Sequence, residues 1–93
     1  MPRWSLEALF DTREILEFLS QFGEASAQRT VDRIIVAANR LDQFPRFGRS
    51  GPEEGMRQLM AGRTTYKIYY RLLENGEPEI LRILHGARKW PPS

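Results

Sequence analysis

The sequence contains no cysteine and a single histidine, His85. Without thiols there is no disulfide framework, no thiolate metal site and no cysteine nucleophile, and a reducing cytoplasm is the expected location. One imidazole is too few for an ordinary zinc site, so no metal and no other cofactor is expected. Long apolar runs are lacking as well. The longest, Ile34-Ile35-Val36-Ala37-Ala38, falls far short of a membrane span, and the N-terminus has no basic-then-apolar export pattern. Nor does one sign of charge dominate: 14 Lys and Arg against 12 Asp and Glu give a formal net charge of +2. Overall charge therefore implies no polyanionic partner, although the excess of arginine leaves room for a local basic patch.

What is present is the makeup of a folded domain, with 41% apolar, 11% aromatic and 28% charged residues. A chain of 93 residues can bury one modest core and has no room for a second, so residues 1–93 are expected to form a single domain.

Pro2-Arg3-Trp4 reads as a short strand, and Ser5 as an N-cap whose hydroxyl accepts from a free first-turn amide. In the helix that follows, Ile15, Phe18, Leu19 and Phe22 recur at three and four residues and predict one apolar stripe, ended by Gly23. From about Ala25 a second helix carries Ala27, Val31, Ile34, Ala38 and Leu41 on one line, and Pro45 stops it. So short a linker predicts an antiparallel helical hairpin with a shared apolar face that needs a sheet to cover. Phe44 to Gly55, with two prolines and three glycines, is loop chemistry. Met56 to Met60, Tyr66 to Leu73 and Ile80 to His85 then read as strands, the last two joined by an Asn75-Gly76 hairpin turn, before an irregular tail ending Trp90-Pro91-Pro92. The expected fold is α+β: a short N-terminal strand, two helices, then three strands of a twisted, mainly antiparallel sheet.

Strand alternation puts Tyr66, Ile68, Tyr70 and Leu72 on one side, and Lys67, Tyr69, Arg71 and Leu73 on the other. In the last strand it groups Leu81 with Ile83 and His85, and Ile80 with Arg82 and Leu84. The hairpin can cover one face of such a sheet. The other, where cations sit among aliphatics and aromatics, either receives a partner or is a solvated surface whose Lys67, Arg71 and Arg82 stems shield apolar neighbours.

The element order and several spaced residues resemble the RelE/ParE superfamily of bacterial toxins. The residues concerned are Ala8-Leu9 with Asp11, Ile15 and Phe18-Leu19; Leu41 with Phe44-Pro45; Gly48-Arg49; Gly55 with Arg57 and Leu59; and Tyr66-Lys67-Ile68-Tyr69-Tyr70-Arg71. The ending Ile80-Leu81-Arg82-Ile83-Leu84-His85-Gly86-Ala87-Arg88, closed by Trp90, is similar to that of ParE-like members. Thr12 departs from the pattern, standing where an apolar residue is usual. The resemblance implies a toxin of a type II toxin-antitoxin pair, held inactive in a hetero-oligomer with a cognate antitoxin. ParE-like members poison DNA gyrase, as in plasmid stabilization and growth arrest. RelE-like members act with the ribosome to cleave messenger RNA, and a third possibility is an inactive module that only binds its antitoxin. The ending favours the ParE-like, gyrase-directed reading over the other two, but the fold is common, so the choice must rest on the site.

RNA cleavage needs a group to activate the ribose 2′-hydroxyl, one to protonate the leaving oxygen, and cations for the charged phosphorane. Arg57, Lys67, Arg71 and Arg82 can supply cations, His85 is the one imidazole, and Glu53 or Glu54 is a distant second acid-base candidate. His85, however, shares its parity with Leu81 and Ile83, and a histidine at a strand end on an apolar face is more often a structural hydrogen bonder than a catalyst. Trp90 can stack on a base, anchor an interface or fold back over the sheet, but cannot relay a proton; Trp4 reads as core. Gly48-Arg49-Ser50-Gly51 lacks the lysine and following helix of a phosphate cradle. No residue is therefore assigned catalysis. Arg57, Lys67, Tyr69, Arg71, Arg82, His85, Arg88 and Trp90 are the candidate contacts to target or antitoxin, the cations being met by acidic residues of the antitoxin.

Overall fold

Ser5 separates the first two elements as its side chain predicts. In the computed structural model, which describes residues 1–91, its hydroxyl accepts from the Ala8 amide at 3.0 Å and donates to the Leu81 carbonyl at 2.9 Å. Pro92 and the residue after it lie outside the described residues. One side chain thus starts a helix and fixes that helix to the sheet.

The elements are β1 (Arg3–Trp4), α1 (Leu6–Ser20), α2 (Glu24–Asn39), β2 (Arg49–Ser50), β3 (Met56–Met60), β4 (Tyr66–Leu72) and β5 (Pro78–His85). The sheet has the order β1-β5-β4-β3-β2, antiparallel throughout except for β1 against β5. The expected α+β order holds, with one addition: β2, two residues long, forms inside the stretch expected to be loop. Its Arg49 and Ser50 pair with Gln58 and Arg57, a long-range pairing that two residues cannot announce by pattern.

α2 buries Ala27, Val31, Ile34 and Ala38, as their spacing predicts, and Leu41 follows in a 3-10 turn at Arg40–Asp42. With Ala8 and Ile15 of α1 they pack on Tyr66, Ile68, Tyr70, Ile80 and Ile83. Trp4 packs against this core from its edge. The stripe expected on α1 is only half correct. Ile15 is buried and Leu19 partly so, but Phe18 and Phe22 are 55% and 74% exposed and meet edge to face at 5.6 Å. Phe22 falls beyond Ser20, where the helical repeat no longer applies, and Phe18 sits about 60° round the helix from Ile15. Thr12 satisfies its hydroxyl on the Ala8 carbonyl one turn back, at 2.9 Å.

β5 also departs from simple alternation. Tyr69 pairs with Arg82 but Tyr70 pairs with Ile80, so Leu81 is an extra residue in a β-bulge. The bulge puts Ile80, expected beside Arg82, on the same side as Ile83, and both are buried under the helices. Among the described residues no helix is long and apolar enough to cross a membrane.

The loop before β2 is held by Tyr70. Its hydroxyl donates to the Pro45 carbonyl and accepts from the Gly48 amide, both at 2.8 Å, and burial raises its pKa. A Cβ at Gly48 would stand 2.7 Å from the Tyr70 ring and hydroxyl and 2.9 Å from the Gln58 carbonyl. Neither neighbour can yield, because the ring is fully buried and the carbonyl is backbone. Gly48→Ala is therefore expected to cost about 1–3 kcal/mol, visible as a melting temperature lower by roughly 4–8 °C per kcal/mol.

Candidate functional site

The helices lie over one side of the sheet, so the other carries the odd-numbered residues of β4. Across its middle run Gln58, Tyr69 and Arg82, with Met60 and Lys67 on one side and Met56, Arg71 and Glu79 on the other. For this side a partner or solvent was one expectation, and a Trp90 ring folded back over the sheet was another. The segment after β5 turns back and sets Trp90 over Tyr69, ring centroids 5.0 Å apart. Tyr69 is left 3% exposed, although no helix reaches it. Arg82 lies under the same indole, its guanidinium carbon 5.8 Å from the ring centre, and the Lys67 ammonium is 5.9 Å from the Tyr69 ring. Lys67, Tyr69, Trp90 and Arg82 thus form one continuous cluster, a pair of aromatics flanked by two cations.

Arg82 is held from the other direction too. Its Nε and Nη2 donate to the two oxygens of Asp11 on α1, at 2.8 and 3.0 Å, and the same carboxylate accepts from the Ile83 amide at 2.9 Å. β1 pairs only with Glu79 and Ile80, so beyond them the outer edge of β5 has no strand beside it. Asp11 closes that edge. The hydrogen bonds from Arg82 to Asp11, with the nearby Glu7 and Glu14 charges, hold the guanidinium's pKa above its already high ordinary value. Asp11 falls three residues after Ala8 and four before Ile15, in core register, where a carboxylate must find a cation or a donor. Its spacing could have disclosed this role, which sequence reasoning missed.

The other candidates are dispersed. Arg71 is on the open face but donates from Nε to Glu79 at 2.8 Å. Arg57 pairs with Tyr70 in the sheet, on the opposite face, and spends its guanidinium on the Gly48 and Arg46 carbonyls at 2.7 and 3.3 Å. His85 pairs with Tyr66, touches it edge-on at 5.7 Å, and accepts from the Ala87 amide through Nδ1 at 3.1 Å. It borders an open depression with Phe18, Arg63 and Thr30 that contains no carboxylate. Glu53 and Glu54 are exposed in the loop before β3. Arg88 is exposed in the tail, its amide bonded to the His85 carbonyl. Among the described residues no three His, Asp or Glu side chains gather as a metal site would require.

A second surface was not anticipated. Phe44 and Phe47 are largely exposed at the mouth of a groove of about 470 Å³, floored by Ala37, Leu41, Leu59 and Met60 and flanked by Arg40. Both phenylalanines lie in the stretch read as loop chemistry, where two aromatics so close together were the available signal.

The family model for the ParE toxin of the type II toxin-antitoxin system parDE matches residues 3–90. The chain belongs to this toxin family. The ParE-family chain is also 34% identical over 89 residues to a putative toxin, Y4kP, of Sinorhizobium fredii, covering 96% of this chain and 91% of that one. It is 33% identical over 85 residues to Toxin RelE2 of Caulobacter vibrioides, covering 91% and 93% respectively. Among solved structures it resembles a chain of a chromosomal ParDE system from P. aeruginosa, with TM-score 0.79, 26% identity, and 89% and 91% of the two chains covered. A chain of the RelBE2 toxin-antitoxin complex of Mycobacterium tuberculosis shares the fold at TM-score 0.64 and 24% identity, with 91% and 99% covered.

For this ParE-family toxin, Asp11 is the side chain on which helix, sheet edge and open face converge. Asp11→Ala leaves Arg82 without its bidentate acceptor and the Ile83 amide unsatisfied. The expected loss is about 2–4 kcal/mol in urea unfolding, and Asp11→Asn, which keeps an acceptor for one donor, should lose less.

Proposed function

We propose that this toxin acts on DNA gyrase without being an enzyme, and that a cognate antitoxin neutralises it in a hetero-oligomer. The observation that carries the choice of target is the dispersal of the groups RNA cleavage would need. His85 and Arg57 share a face but stand at the Tyr66 and Tyr70 rows, about 13 Å apart along the strand. Arg71 and Arg82 are on the other face, each tied to a carboxylate. Those carboxylates, Glu79 and Asp11, are engaged by the guanidinium groups themselves, while His85 is on the far side of the sheet and the Glu53-Glu54 pair lies in a loop. An arrangement of this kind can bind, but among the described residues it offers no site where one phosphodiester meets a free acid, a free base and a cation together.

Purified toxin is expected to inhibit gyrase supercoiling and accumulate cleaved DNA, while leaving messenger intact in a reconstituted translation reaction. Supercoiling left untouched while messenger is cut would overturn the reading in favour of a ribosome-dependent nuclease. Absence of growth arrest when the folded chain is expressed alone would leave an antitoxin-binding module.

For the antitoxin, the groove bordered by Phe44 and Phe47 is the surface with the most to gain from a partner. Large exposed aromatics beside an apolar floor are the usual anchors of an interface, and the P. aeruginosa chain that this toxin resembles comes from a ParDE toxin-antitoxin system. Replacing Phe44 and Phe47 together by Glu should weaken binding of the co-expressed antitoxin by at least about 30-fold in calorimetry. The same change should leave the melting temperature of the free toxin nearly unchanged.

A further inference from the structure

We propose that the depression where His85 meets the helical hairpin binds a small organic anion, an apolar ring bearing one oxyanion head, through Tyr66, Arg63 and His85. The site is on the helix side of the sheet and does not depend on which target the toxin has.

Tyr66 has a polar atom that the fold leaves unused. The residue is only 8% exposed and its ring belongs to the core, yet its hydroxyl bonds nothing among the described residues, whereas the hydroxyl of Tyr70 on the same strand makes two bonds. A buried phenol ordinarily has a partner for its O–H. Tyr66 lines a depression of about 510 Å³ between the end of α1, α2 and the turn from β3 to β4. Among the described residues the one sealed side-chain polar atom without a partner is Oδ1 of Asn39, so the Tyr66 hydroxyl is open to this depression. Burial raises its pKa, and the hydroxyl therefore keeps a proton to donate.

Two more donors border the same space. Nδ1 of His85 accepts from the Ala87 amide, which places the ring proton on Nε2. Arg63 forms no ion pair among the described residues, and it is the one non-glycine residue there with a positive φ, 60°. An arginine in left-handed backbone costs stability that glycine would not, strain of the kind retained where a side chain has a ligand to hold. No carboxylate lines the depression, so the complement to these three donors is an anion. The opposite wall is apolar. Phe18 and Leu19 form it, with the Phe18 ring braced edge to face by Phe22, which gives the exposed Phe18 a use that the core does not. An inorganic ion would leave that wall bare, and a neutral ring would leave the donors unmet. The volume is that of a small-molecule site.

The test titrates the isotope-labelled full chain with phenylacetate and with phenyl phosphate, followed by amide chemical shifts. Benzyl alcohol, which lacks the charged head, and inorganic phosphate, which lacks the ring, are the controls. Neither gyrase nor antitoxin is present, so failure here is distinct from failure of the gyrase reading. Saturable shifts are expected at Thr30, Thr65 and His85, with Kd of about 1 mM or tighter and each control at least about fivefold weaker. Whichever acid binds more tightly identifies the natural head as a carboxylate or a phosphomonoester. Tyr66→Phe removes only the unpartnered hydroxyl; it should melt with the parent and bind at least about fivefold more weakly. Arg63→Gly relieves the left-handed backbone, and should melt no lower than the parent while binding at least about tenfold more weakly. The proposal is overturned by the absence of saturable shifts with both acids, by a control that binds as tightly as the acids, or by a folded Tyr66→Phe protein that binds them like the parent. A clearly lower melting temperature for Tyr66→Phe would give the hydroxyl a structural role and sink it as well.

Discussion

A single carboxylate, that of Asp11, joins the three parts of this molecule. It accepts from a guanidinium on β5 and from the backbone amide of the next residue, and it sits on the helix that starts at Ser5. An edge strand needs its outward amides satisfied, and a half-buried arginine needs a counter-charge. Asp11 answers both with one group. Because Arg82 is fixed by it, the guanidinium plane lies ready beneath Trp90, and the tail returns over the sheet instead of trailing away. Order in the helical hairpin is thereby transmitted to the side of the sheet that faces away from it.

Tyr70 plays the corresponding part at the other end. A buried ring with a hydroxyl that both donates and accepts ties the Pro45 to Gly48 segment to the middle of the sheet, and Arg57 adds two bonds to the same loop. That anchored loop presents Phe44 and Phe47 beside the groove. Many of the chain's cations are accordingly structural. Arg57, Arg71 and Arg82 are spent within the fold, and Lys67 and Arg49 are those left available on the open face. Residue type did not separate the two groups, since all five are basic and all lie on strands.

Much of the architecture was legible in the residues. The Ser5 cap, the Val31, Ile34, Ala38 and Leu41 line, the Asn75-Gly76 turn and the strands at Met56, Tyr66 and Ile80 follow from local rules, and all are present. The misplaced features have one physical origin. Phe18 and Phe22 fit a helical stripe, but where a helix ends and what lies beneath its last turn are set by the elements it packs on. Ile80 fits the alternation of an ideal strand, but the bulge at Leu81 shifts the alternation by one, and a bulge belongs to a pair of strands.

The amino-acid sequence by itself determined the class of fold, the order of its elements, the core line of the second helix and the resemblance to a toxin family, because these rest on periodicity, caps and turns that neighbouring residues settle among themselves. Only the tertiary structure decided which cations are occupied, that Trp90 covers Tyr69, and that His85 and Arg57 stand apart from Arg71 and Arg82. Those relations join residues far apart in the chain, Asp11 with Arg82 above all. A side chain's partner at such separation is chosen by how whole elements pack, not by the residues beside it.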